Sequence, residues 1–162
     1  MKLKSSISAV LTLALVVVSL ALAMACSHGA EHVLLDQFFG ASRLRDKTAL
    51  QAFATVPFEP HVQGTVTTFT IVRVSPDERK PLNLGGAERR IAELSVDDPR
   101  QPVDVSKYGG EMVSKNVTIQ APVRLPDGQT APKLLNVIMQ RAILKGDRDI
   151  VGRWVVTGFT MR

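Results

Sequence analysis

The stretch from Val113 to Leu125 constrains the fold most tightly. Val113, Val117, Ile119, Ala121, Val123 and Leu125 occupy odd positions, while Ser114, Asn116, Thr118, Gln120 and Arg124 occupy even ones. Side chains of a β-strand alternate between its faces, so this pattern predicts a strand buried on one face and wet on the other. Pro126-Asp127-Gly128 follows as a turn, with glycine able to take positive φ. Lys133 to Leu144 and Ile150 to Met161 read as two further strands, joined by Lys145-Gly146-Asp147-Arg148-Asp149. Both are apolar on both faces, which predicts inner strands of a curved sheet. Helices would cover one side, and the other would line an enclosed space or a partner contact.

Upstream the periodicity is helical. Leu34, Leu35, Phe38, Phe39 and Ser42 form one stripe at helical spacing, which predicts an amphipathic helix over Glu31 to Arg43. Asp46 stands before Lys47-Thr48-Ala49-Leu50-Gln51-Ala52-Phe53, where its carboxylate can cap a second short helix that Pro57 and Pro60 close off. From Thr65 to Val74, Val, Thr, Phe and Ile dominate, and these side chains favour a strand. Ser75 to Gly86 is charged and rich in breakers, which predicts an exposed loop. Arg89 to Val96 fits neither period cleanly and is compatible with a strand or a short helix, of which the strand is preferred. Two helices followed by an antiparallel meander give an α+β class, with two N-terminal helices packed on a curved sheet of about four to six strands.

The N-terminus carries an address. Lys2 and Lys4 precede a charge-free apolar run from Ile7 to Ala25 that closes on Ala23-Met24-Ala25, the small-x-small pattern of a secretory cleavage site. Cys26, the only cysteine, comes next. A lone thiol in an exported chain forms no internal disulfide, and its place after the cleavage site resembles the lipobox of bacterial lipoproteins, in which the cysteine is acylated. Residues 1–25 are thus read as a signal peptide, 26–30 as a tether and 31–162 as one domain. Two alternatives stay open: cleavage after Ala25 with release, and an uncleaved anchor, since nineteen residues at 1.5 Å each span roughly 28 Å.

Composition narrows the partners. The chain of 162 residues carries 20 basic and 15 acidic residues, and Lys2 and Lys4 belong to the leader. The remaining excess is mild and scattered. Arg89-Arg90 is the longest basic run, and a single Tyr and a single Trp leave no basic stripe interleaved with aromatics, so nucleic acid is not an expected partner.

Phe38-Phe39-Gly40-Ala41-Ser42-Arg43-Leu44-Arg45-Asp46-Lys47-Thr48-Ala49-Leu50-Gln51-Ala52-Phe53 resembles the opening of the nuclear-transport-factor-like, or SnoaL-like, cone fold. Members of that superfamily often begin with an aromatic on helix one, a short turn to an aspartate and a leucine-bearing second helix. The terminal meander is similar as well. The resemblance implies a cone enclosing a pocket, with carboxylates or histidines projecting from strands in the members that are enzymes.

The predicted strands of this chain hold none of those groups. Thr65–Val74, Met112–Leu125, Lys133–Leu144 and Ile150–Met161 contain no Asp, Glu or His. An acid or base must come from helices or loops, where Asp36, His32, His61, Glu59, Glu93 and Glu111 are available. Asp36 on helix one and His61 before the first strand are the catalytic candidates, each weighed against a plain surface role. His28 and His32 have the i, i+4 spacing of metal ligands, but no third ligand is near in sequence, so no metal is expected. No Gly-rich phosphate loop follows a strand and no Gly-x-Ser-x-Gly elbow exists, so no cofactor is expected either. Arg73, Arg124, Arg141 and Arg153 fall on predicted strands and would favour an anionic ligand if some converged. Trp154, Arg141 and Phe69 are the candidate lining of a ligand pocket.

These observations favour an exported, membrane-tethered, non-catalytic binding or assembly module facing the periplasm or cell surface. Its partners would be a small apolar or anionic ligand, a protein or a second copy. The alternatives are a small hydrolase or isomerase using Asp36 or His61, and an inner-membrane envelope-complex subunit with an uncleaved N-terminal helix.

Overall fold

In a computed structural model the described residues are 28–98 and 100–162, so the apolar run and Cys26 lie outside them. Helix α1 spans Gly29–Leu44 and α2 Lys47–Phe53. Strands β1 (Thr65–Val66), β2 (Thr70–Val74) and β3 (Glu78–Pro81) come next, followed by helix α3 (Gly86–Val96) and a 3₁₀ turn at Val105–Lys107. Strands β4 (Gly109–Arg124), β5 (Thr130–Lys145), β6 (Ile150–Val151) and β7 (Val155–Met161) complete the chain. The class is α+β with one antiparallel sheet, and Glu31–Arg162 forms one compact unit. Among the described residues no helix is long and apolar enough to cross a membrane.

The frame is the hairpin of β4 and β5, paired without interruption from Gly109↔Lys145 to Arg124↔Thr130. Leu125 and Gln129 close the turn around Gly128, whose φ of 86° suits glycine. Strands β1, β2 and β3 all pair with β4, whereas β6 and β7 pair with β5. Alternation then builds two cores on opposite faces. Val117, Ile119, Ala121 and Val123 with Leu135, Val137 and Met139 form the face on which α1 and α2 pack through Leu34, Leu35, Phe38, Phe39 and Leu50. Met112, Ala142 and Leu144 point the other way and meet Ile91, Ala92 and Val96 of α3.

The sheet has seven strands, above the expected four to six, for three local reasons. Thr65 to Val74 divides into β1 and β2, and the last predicted strand divides into β6 and β7 around Gly152–Trp154. Residues expected to be an exposed loop supply the third: Glu78–Pro81 pairs with Ser114–Glu111 as an edge strand whose charges keep it in water.

Two further expectations are corrected. Arg89 to Val96 is helical, because the buried stripe is Ile91, Ala92, Ser95 and Val96 and Arg89 pairs with Glu93 one turn away. Ser95 is polar and so concealed the stripe: its hydroxyl donates to the Arg153 carbonyl at 2.8 Å and accepts from the Ala142 amide at 3.1 Å. Second, of the two strands expected to be inner because they are apolar on both faces, only β5 is. β7 lies at the sheet edge, and Val155 and Val156 are nevertheless buried because Ala54 bridges Val156 and the Thr55 amide donates to its carbonyl at 2.9 Å.

Gly152 sits where α3 meets β5. A Cβ there would stand 2.0 Å from Ser95 Oγ and 2.9 Å from the Ala142 carbonyl oxygen. Gly152→Ala is expected to destabilise the fold by about 1–3 kcal/mol through overpacking. Denaturant unfolding measures the loss, and a wild-type midpoint would contradict this packing.

Candidate functional site

The end of α1 is set by its backbone. The Arg45 amide donates to the Ser42 carbonyl and the Asp46 amide to the Ala41 carbonyl, each at 2.9 Å, with Arg45 at φ 56°. This double closure places the residue after the helix in the left-handed region, where glycine is the usual occupant. Asp46 Oδ1 then accepts from the Ala49 amide at 2.9 Å and caps α2. The two helices are joined with almost no linker. The buried Ser42 hydroxyl donates to the Phe58 carbonyl and fastens the segment after α2 beneath this corner.

A groove of about 450 Å³ opens between the α1–α2 corner, the Ala54–His61 segment and α3, within the size range of small-molecule sites. Its apolar walls include Leu50, Val56 and Pro57, and its polar groups include Arg45, Lys47 and Arg90. Lys80, Arg89, Lys115 and Lys145 each meet a carboxylate; Arg45, Lys47 and Arg90 meet none among the described residues. Among the described residues Glu59 is the one carboxylate in the lining, and it stands 3.3 Å from His61 Nε2. A larger depression of about 790 Å³ near Val103 and Tyr108 is lined by Asp98, Asp147 and Asp149 together with Lys107 and Arg148, so its charges oppose one another.

The two catalytic candidates lie apart. Asp36 is on the outer side of α1, 2.9 Å from His32 Nδ1, with both side chains more than half exposed. His61 is at the groove with its side chain 67% exposed. The His32 ring also lies 4.8 Å from Phe69, and no group of three His, Cys, Asp or Glu among the described residues is placed to hold a metal.

Of the candidate pocket lining, Arg141 and Trp154 come together and Phe69 does not join them. Phe69 packs on Phe39 at 5.8 Å. Arg141 Cζ lies over the Trp154 ring at 4.4 Å and its Nη2 reaches Asp77 at 3.9 Å, while its buried Nε has no hydrogen-bond partner among the described residues. None of the three lines the groove. The other strand arginines do not converge either: Arg73 and Arg124 are exposed, and Arg153 donates to the carbonyls of Ala52 at 2.7 Å and Leu94 at 3.3 Å. Arg153 thus joins the C-terminal ends of α2 and α3, where a cation favours exposed carbonyls. This holds Arg90's helix against the corner.

The centre that sequence reasoning missed is Lys115. It is 6% exposed, pairs with the buried Glu31 and lies 3.9 Å from the Trp154 ring centroid. The signal was its odd position in the alternation of β4, which places it on the buried face. Attraction to a carboxylate and an aromatic face offsets the cost of desolvating the ammonium.

Comparison with protein-family models, curated proteins and solved structures finds no match. The chemistry must be read from the site.

Two expected outcomes follow from this geometry. Lys115→Met leaves the Glu31 carboxylate buried opposite a thioether and is expected to destabilise by about 3–5 kcal/mol, whereas a Glu31→Leu, Lys115→Met double variant recovers most of that loss. Equal losses in the two variants, measured by urea unfolding, would contradict a coupled pair. Arg45→Gly removes a left-handed strain of about 1–2 kcal/mol against a glycine entropy cost of about 0.5–1 kcal/mol. A small rise in stability is expected, and a fall would show that the Arg45 side chain contributes packing to the fold.

Proposed function

We propose that this chain is an exported, membrane-tethered binding module without catalytic activity, and that its ligand sits in the groove at the α1–α2 corner. The observation that carries this reading is a groove of ligand size with apolar walls and three cations that meet no carboxylate among the described residues. Asp36 and His61, the catalytic candidates, stand on different elements, Asp36 beside His32 at 2.9 Å and His61 beside Glu59 at 3.3 Å. The acid–base pair at the groove, Glu59 and His61, is an exposed side-chain contact, and among the described residues no further Asp, Glu or His lines the opening.

The tether completes the reading. Lipidation at Cys26 is proposed as the anchor, because acyl chains bury about 0.8 kcal/mol per CH₂ and several chains hold a domain at a membrane where one does not. The resemblance to the cone fold belongs to the same proposal; two N-terminal helices on one face of a long antiparallel hairpin support it.

Two measurements test this. Intact mass of the membrane-purified protein is expected to start at Cys26 with added acyl groups; a mass starting at Met1, or at an unmodified Cys26, contradicts the anchor. A thermal-shift screen against small molecules is expected to give stabilising ligands whose effect Gln51→Trp, at the exposed groove wall, abolishes. Chemical turnover of such a ligand would overturn the non-catalytic reading.

A further inference from the structure

The groove is chemically two-sided. Arg45 comes from the α1–α2 corner, Lys47 from the first residue of α2 and Arg90 from α3, so three elements bring positive charge to one opening. The opposing charge in the lining is Glu59, which faces His61 and whose amide is held at 2.6 Å by Gln63 Oε1. Beside the cations lie Leu50, Val56 and Pro57. Arginine forks bind carboxylate and phosphate oxygens in pairs, and an apolar wall has no use for a bare ion.

Arg45 carries a second indication. Its backbone stands at φ 56°, a conformation that glycine adopts with less strain. An arginine held there gives up backbone energy and retains a guanidinium at the groove. Strain of this kind points towards function.

We propose that the groove binds a single anionic amphiphile, with its carboxylate or phosphate head on Arg45, Lys47 and Arg90 and its alkyl body along Leu50, Val56 and Pro57. This rests on the groove being the binding site. The ligand is a free molecule and not a bilayer surface, because the opening is concave and holds about 450 Å³. Head and tail act together: charge alone would be screened in salt, and the apolar wall alone would not select an anion.

The test is calorimetric titration of the full chain in neutral phosphatidylcholine nanodiscs, with empty discs as the blank. Octyl phosphate and octanoate are titrated separately, against inorganic phosphate and octanol. At least one of the two anions is expected to bind about tenfold or more tightly than both controls, and which one does so identifies the head group. Arg45→Glu with Arg90→Glu is expected to weaken it about tenfold or more, and Gln51→Trp to block it. Melting curves matching wild type confirm that these exposed changes leave the fold intact.

Octanol binding as tightly as the anions, and lost in Gln51→Trp, overturns the anionic ligand while leaving the groove as the site. Anion binding indifferent to Gln51→Trp removes both. Inorganic phosphate binding as tightly as octyl phosphate overturns the amphiphile. Retention on phosphatidylglycerol vesicles that depends on Arg45 and Arg90, without binding of either free anion, overturns the single-molecule ligand in favour of a membrane surface.

Discussion

The uninterrupted register of β4 against β5 is the constraint on which the other elements depend. Among the described residues every other strand attaches to one of these two, and every helix packs on one of their faces. Because side chains alternate strictly along an unbroken ladder, one register fixes both cores at once. Val117, Ile119, Val137 and Met139 turn towards α1 and α2, whereas Met112, Ala142 and Leu144 turn towards α3. A one-residue slip would present polar Asn116, Thr118 and Asn136 to the helices instead.

On that frame a few polar contacts locate the helices. The buried pair of Glu31 and Lys115 fixes the start of α1 against β4, and the Ser42 hydroxyl fixes its other end to the Phe58 carbonyl. Arg153 ties the C-terminal carbonyls of α2 and α3 to the connection before β7. The groove is the space those contacts leave open. Its walls are therefore set by buried structure, while its cations, being exposed, remain available to a ligand.

How much of this was legible depended on whether a residue's type matched its place. Asp46, Lys47–Phe53 and the alternation after Val113 announced themselves, because capping and period-two burial act locally. Ser95 and Lys115 did not: both are polar residues buried through partners more than 40 positions away, and no local pattern reveals such partners. β3 was hidden for the opposite reason, since an edge strand can be charged throughout and still pair by its backbone. His61, weighed in the sequence against a plain surface role, lies exposed in the lining of the groove. Arg45, Lys47 and Arg90 gave no local sign, since only the α1–α2 corner and the packing of α3 bring them to one opening.

The central claim is that ligand chemistry resides at the α1–α2 corner and not at the Trp154 cluster or the wet face of the sheet. Hydrogen–deuterium exchange of the full chain, with and without octyl phosphate, addresses this residue by residue. Slowed exchange confined to the segments around Arg45–Gln51, Ala54–His61 and Arg90 is the predicted result. Slowing centred on Lys115, Arg141 and Trp154, or on Asn116, Thr118 and Asn136, would contradict it.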